Sequence, residues 1–274
     1  MKLLVTTSRS LLLLDTQTGE FRPIHQGAGL YYGITATLCH YLVAARGRMV
    51  SSTAPAAAER GEILIFNRRL EHIGAWQAPF ALRDIHEIKW HRRHLYVTCS
   101  YDNMLAIRTP RGEWLQWYPL GEPQAEPRDR NHFNSLYLQG RSLWLLAHNR
   151  GPSDILQFDI PSRTLVHRQP LGQEAHNLWR IRGQWHTCSS AESGIATADG
   201  RLIPTGGFPR GIARLAQGWA VGISQLAERS QRDYTSGQIA LYDKNWQKIH
   251  THPLPNEGLV LDIHRPSCCP LIAR

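Results

Sequence analysis

Helix-length periodic segments with capping residues are missing from this 274-residue sequence, which removes the folds built on packed helices. No apolar run is long enough to span a bilayer, so no membrane partner is expected. Five cysteines (Cys39, Cys99, Cys188, Cys268 and Cys269) are an odd number without a Cys-x-x-Cys pair. That excludes a zinc ribbon and argues against a disulfide framework; reduced, mostly buried thiols in a cytoplasmic protein are expected instead. Gly-x-Ser-x-Gly, the Walker phosphate loop and the dinucleotide glycine pattern are also absent, so no nucleotide cofactor is expected. The opening residues 1–15 are apolar, but Thr6, Thr7, Ser8 and Arg9 interrupt them and no small-residue cleavage site follows. They read as a strand pair and not as a secretion signal.

What is present is a repeat. The stretch Asp84 to Asp102 holds a polar residue at His86, a half-apolar strand, a turn at Arg92-Arg93, a second strand from Leu95 to Cys99 and a polar exit at Ser100. Stretches beginning at Asn134, His176 and Arg210 align with it without gaps when those residues are set against His86, and a fifth begins at Tyr32. Six outer hairpins follow, beginning at Leu12, Ile63, Met104, Ile155, Ile195 and Ile239. The missing inner pair is supplied by the chain ends: residues 3–8 match residues 95–100, and residues 258–264 are the one strand-like run left over. Six units in 274 residues have the length of four-stranded blades. The expected fold is an all-β, six-bladed β-propeller, a single domain over residues 1–274, with one blade closed by pairing the N-terminal strands with the C-terminal strand.

That topology assigns residues to one mouth of the central channel, because each innermost strand starts where the second strand ends. Tyr32, His86, Asn134, His176 and Arg210 start inner strands, with Asp84, His132 and Glu174 two residues upstream; His148 ends a second strand. Three imidazoles, His86, His132 and His176, in consecutive blades are candidate metal ligands suited to Fe(II) or Zn, or else acid–base groups. Arg210, between Pro209 and Gly211, is a candidate anchor for a carboxylate or phosphate, with a salt bridge to Glu174 or Asp262 as the structural alternative. His264 is a further candidate for the cluster, while His72, His91, His94, His250 and His252 are expected at the surface. Loops 48–62 and 226–237 join second to third strands on the same face and could cover it as a lid.

The net charge of +9 comes mostly from Arg scattered at turns, which argues against nucleic acid and leaves a solvated basic surface or a preference for small anions.

The segments His86-Glu-Ile-Lys-Trp90, His132-Phe-Asn-Ser-Leu136, His176-Asn-Leu-Trp-Arg180, Phe208-Pro-Arg-Gly-Ile212 and Leu261-Asp-Ile263 together resemble, in order, motifs of a family of bacterial proteins of uncharacterised function. Those motifs are His-Asp-Leu-Ala-Trp, His-Leu-Asn-Gly-Leu, His-Ser-Pro-Arg-Trp, Phe-Thr-Arg-Gly-Leu and Phe-Asp-Ile. The resemblance implies a conserved six-bladed β-propeller and marks His86, His132, His176 and Arg210, while Asn177-Leu178 departs from the family's Ser-Pro. Two functions fit: a cytoplasmic enzyme of lyase, hydrolase or oxygenase type acting on a small anionic metabolite, with Tyr32, Asn134, His148, Glu174 and Arg210 around the substrate; or a non-catalytic propeller that docks a ligand or a protein partner.

Overall fold

The computed structural model describes residues 1–121, 123 and 125–266. Its strands form six four-stranded antiparallel sheets, each ordered from the channel outward along the chain. Blade 1 covers residues 31–76, blade 2 residues 85–117, blade 3 residues 135–173, blade 4 residues 175–204 and blade 5 residues 208–254. Blade 6 pairs Val260–His264 with Lys2–Thr7, followed outward by Ser10–Asp15 and Phe21–Gln26. The expected six-bladed propeller and its closure between the two chain ends are therefore both present. Cys268 and Cys269 lie outside the described residues. No helix among the described residues is long and apolar enough to cross a membrane.

The blades form because second strands such as Leu95–Cys99 and Gly218–Ser224 are buried on both faces. Their side chains fill six hydrophobic clusters, one between each pair of neighbouring blades. Tyr96, Leu105 and Trp117 of blade 2, for example, pack on Phe133, Leu143 and Phe158 of blade 3. The cluster of Leu4, Leu13, Tyr31, Val43 and Phe66 joins blade 6 to blade 1 and leaves no open edge. Some hairpin turns break the usual residue preference. Arg92 and Arg93 both take positive φ (46° and 63°) between the paired His91 and His94, a two-residue turn whose hand matches strand twist.

The innermost strands are less regular than a strict alternation predicts. In blades 1, 2, 4, 5 and 6 the register between first and second strands slips by a bulge at Tyr32-Gly33, His86-Glu87, Asn177, Arg210-Gly211 and Leu261. A bulge sets two residues against one and re-aims side chains. In blades 2, 3 and 4 the residue two positions ahead of the strand register, Asp84, His132 or Glu174, has φ of 55°, 38° or 42°. These three are consequently not on an extended strand, as the sequence pattern suggested, but at a left-handed kink that turns the chain into the channel.

Candidate functional site

The kinks and bulges build an aromatic arc at the channel mouth. The Tyr32 ring lies 4.7 Å from His86, His86 lies 4.4 Å from His132, His132 4.6 Å from His148, His148 6.1 Å from His176, and His176 5.6 Å from Phe208. Arg210 closes the arc over the Phe208 ring at 4.8 Å. All eight sequence-derived site residues are near this face, but the three expected ligands do not gather as one set. The ligand atoms of His132, His148 and His176 lie within 4.8 Å of one another, and so do those of Asp84, His86 and His132. His148 thus stands where His86 was expected, because it reaches inward from the end of the second strand of blade 3. His264 sits elsewhere, against Tyr41, and His252 is buried instead of lying at the surface.

Hydrogen bonds fix which ring nitrogen is free. The Ser190 hydroxyl donates to the Pro209 carbonyl (2.8 Å), so its oxygen accepts the His176 Nδ1–H at 2.7 Å. This leaves a lone pair on His176 Nε2, a buried atom without a partner. His86 repeats the device: Ser100 donates to the Phe133 carbonyl (2.7 Å), while His86 Nδ1–H faces the Asp84 carbonyl (3.0 Å) and Ser100 Oγ (3.2 Å). His and Ser are fourteen residues apart in both units, and each serine grips the backbone entering the next blade. His132 gives its Nδ1–H to the Asp129 carboxylate, the arrangement that orients metal-ligating imidazoles. His148 accepts the Arg150 N–H at Nδ1 and meets the Asn134 amide at Nε2, both at 3.2 Å.

Burial keeps the His86, His148 and His176 rings neutral. It holds His86 and His176 well below the ordinary imidazole value, with nearby cations adding to the effect at His176, and it lowers His148 from 6.5 to about 3. Neutral imidazole is the metal-binding form. The unfolded chain regains the ordinary value and binds more protons than the folded one below it. These histidines, with His264 lowered to about 4, therefore contribute stability that is complete above pH 6.5 and is lost as pH falls towards 3. Glu87, Asp262 and Asp102, whose carboxyls burial pushes up, oppose this in part of the same window, while His25, His186 and His252, also lowered by burial, add to it. Denaturant midpoints are expected to fall as pH drops from 6.5 to 4.5; midpoints that stay level would contradict the neutral cluster.

Three groups that sequence reasoning passed over complete the surroundings. Loop residue Glu59, 4% exposed, takes two hydrogen bonds from Arg46 (2.8 and 2.7 Å) and one from the Asp84 N–H (2.7 Å), while Arg46 also pairs with Asp84 at 2.5 Å. Against the opposing effect of its burial, the Arg46 guanidinium holds the Asp84 carboxyl well below the usual range. Deeper in the channel, Lys89 reaches Glu87 at 3.1 Å and Ser135 donates to the same carboxylate at 3.2 Å. Asp262 accepts the Ile34 and Ile263 N–H groups, each at 2.8 Å, and so is not the partner of Arg210. Across the top, loops 48–62 and 226–237 are fastened together. The fully buried Asp233 carboxylate accepts the N–H of Val50 (3.2 Å) and Ser51 (2.7 Å), and Arg229 donates to the Val50 carbonyl (3.3 Å). Cys99 and Cys188 are buried with thiol pKa values pushed up by burial, so neither is an activated nucleophile.

No protein-family model matches the chain, and no curated protein matches its sequence. A chain in the crystal structure of a nidogen/laminin complex superposes with a TM-score of 0.66 at 12% identity, over 96% of this chain and 97% of that one. The two share a fold. At that identity the likeness reaches no further than the ring of blades. Hydrazine synthase of Kuenenia stuttgartiensis superposes with a TM-score of 0.47 at 15% identity, over 86% of this chain and 71% of that one, too loose a match to bear on function.

Proposed function

We propose that the channel mouth is a metal-dependent catalytic site, with Zn or Fe(II) held by His132, His148 and His176 and a small anionic molecule held beside it by Arg210. The observation that carries this reading is the convergence of three imidazoles within 4.8 Å, one of them with a buried, unpartnered Nε2. Leaving such an atom unsatisfied costs about 1–3 kcal/mol, and a ligand in the mouth removes that penalty. A metal with three protein ligands and an open position supplies Lewis acidity or an activated water.

The chain's own residues do the rest. His132 is oriented by Asp129, and His176 by Ser190. His148 would offer a metal its Nε2 with the proton on Nδ1, in place of its present contacts with the Asn134 amide and the Arg150 N–H. His86, outside the three, keeps a free Nε2 4.4 Å, ring to ring, from His132 and serves as the acid–base group. Tyr32 packs on His86, and the Phe208 ring, 4.8 Å from the guanidinium carbon, flanks the Arg210 group that grips the anion. Hydrolysis or elimination fits a neutral base beside a Lewis acid. The motif resemblance and the unactivated thiols support placing the chain among cytoplasmic bacterial propellers.

Titration of tag-free protein with Co(II), followed by its visible absorption, tests the reading. Saturation at one equivalent, reversed by zinc, is expected; no absorbing complex and no retained zinc would overturn it.

A further inference from the structure

We infer that the molecule taken at the mouth is a dianion, with its first charge on Arg210 and its second on Arg232 of loop 226–237. The inference rests on the reading of Arg210 as an anion anchor and adds the second charge.

The charges at this face do not balance. Arg46 is matched by Glu59 and Asp84, Arg83 by Asp102 at 2.5 Å, and Arg48 reaches Glu59 at 3.8 Å. Among the described residues Arg210 and Arg232 have no such carboxylate. Arg210 lies over the Phe208 ring at 4.8 Å, and its buried Nε has no partner. Arg232 has one hydrogen bond from Nε, to the Ala227 carbonyl at 3.0 Å.

The fold brings the two together. A Cβ on Gly258 would lie 2.9 Å from the Arg232 carbonyl, and the Gly258 N–H bonds the Thr235 carbonyl at 2.8 Å, so this part of the loop lies on the chain entering Val260–His264. That inner strand packs directly on Phe208–Leu215, which carries Arg210. The positive charge of Arg232 is strong enough at Arg210 to help lower its pKa. Asp233, the next residue, is fully buried and fastened to the opposite loop, so Arg232 is held beside the mouth and not left on a free tip.

Two guanidinium groups with no carboxylate in contact repel each other in a partly desolvated opening, and Glu174, acting on Arg210 only from a distance, offsets this in part. A monoanion relieves one of them; a dianion relieves both and bridges the blade to the loop. Short dicarboxylates and phosphate monoesters share this chemistry, since both present two charges within the reach of two planar donors.

The test is calorimetric titration of the full chain at pH 7.5 with succinate, inorganic phosphate and butyrate. The wild type is expected to prefer at least one dianion over butyrate by about tenfold, the effect of one added charge pair. Whether succinate or phosphate binds better distinguishes the two sources. Arg232→Gln should remove that preference and leave butyrate binding unchanged, Arg232→Lys should keep it in part, and Arg210→Gln should weaken all three probes. A preference undiminished in Arg232→Gln overturns the inference while leaving the Arg210 anchor standing. Failure of the wild type to bind any probe overturns both.

Discussion

His176→Ala is expected to bind zinc about 10²–10³-fold more weakly than the wild-type chain without losing the fold. Zinc sites release about 10–16 kcal/mol on binding, so one ligand of three or four accounts for about 3–4 kcal/mol, which is that factor in affinity. The fold should survive because the His176 ring makes one side-chain hydrogen bond, to Ser190, and Ser190 keeps its bond to Pro209 in the variant. Ser190→Ala gives a finer reading. It removes the group that holds the His176 proton on Nδ1 but no ligand, and losses for such supporting partners are about 10–100-fold. Competition against a chelating dye measures both. Wild-type zinc affinity in His176→Ala would remove that residue from the site.

Glu59→Ala should lower stability by about 3–5 kcal/mol, the range for removing one partner of a buried ion pair. In a chain of this size that is roughly 6–20 °C in melting temperature. The large value follows from what stays behind: Arg46, with 10% of its side chain exposed, keeps Asp84 but loses two hydrogen bonds, and the Asp84 N–H loses its acceptor. An exposed pair is the control. Arg141 and Asp159 meet at 3.4 Å with the arginine side chain 68% exposed, and Arg141→Ala should change stability by less than about 1 kcal/mol. Scanning calorimetry of both variants measures the contrast; similar melting temperatures for the two would mean that the Glu59 network is not structural.

The fold was legible because each blade repeats the same period-2 apolar strands with a polar residue at the channel end, and because residues 3–8 copy residues 95–100 closely enough to reveal the shared blade. The mouth was legible as a face for the same reason. Its geometry was not. The bulge that turns Glu87 towards the channel beside His86 leaves no mark in the composition of Ile85–His91, since it depends on pairing with Thr98, which takes both N–H groups at 3.3 and 2.9 Å. Strict alternation along the strand therefore missed Glu87, Lys89 and their link to Ser135. His148 entered the cluster from a second strand, where spacing to His132 and His176 carries no ligand pattern. Glu59 and Asp233 act across 25 and more than 180 residues respectively, on backbone N–H groups that any residue type would supply. The fourteen-residue step from His86 to Ser100, repeated from His176 to Ser190, and the three-residue step from Asp129 to His132 were the signals in the sequence that marked which imidazoles are oriented.

Anomalous diffraction from crystals of the zinc-loaded protein, recorded on both sides of the zinc absorption edge, tests the metal site most directly. The expected result is one strong peak at the channel mouth, at about 2.0–2.1 Å from a nitrogen of each of His132, His148 and His176. A mouth without a peak, while zinc sits at surface histidines, would contradict a metal centre there.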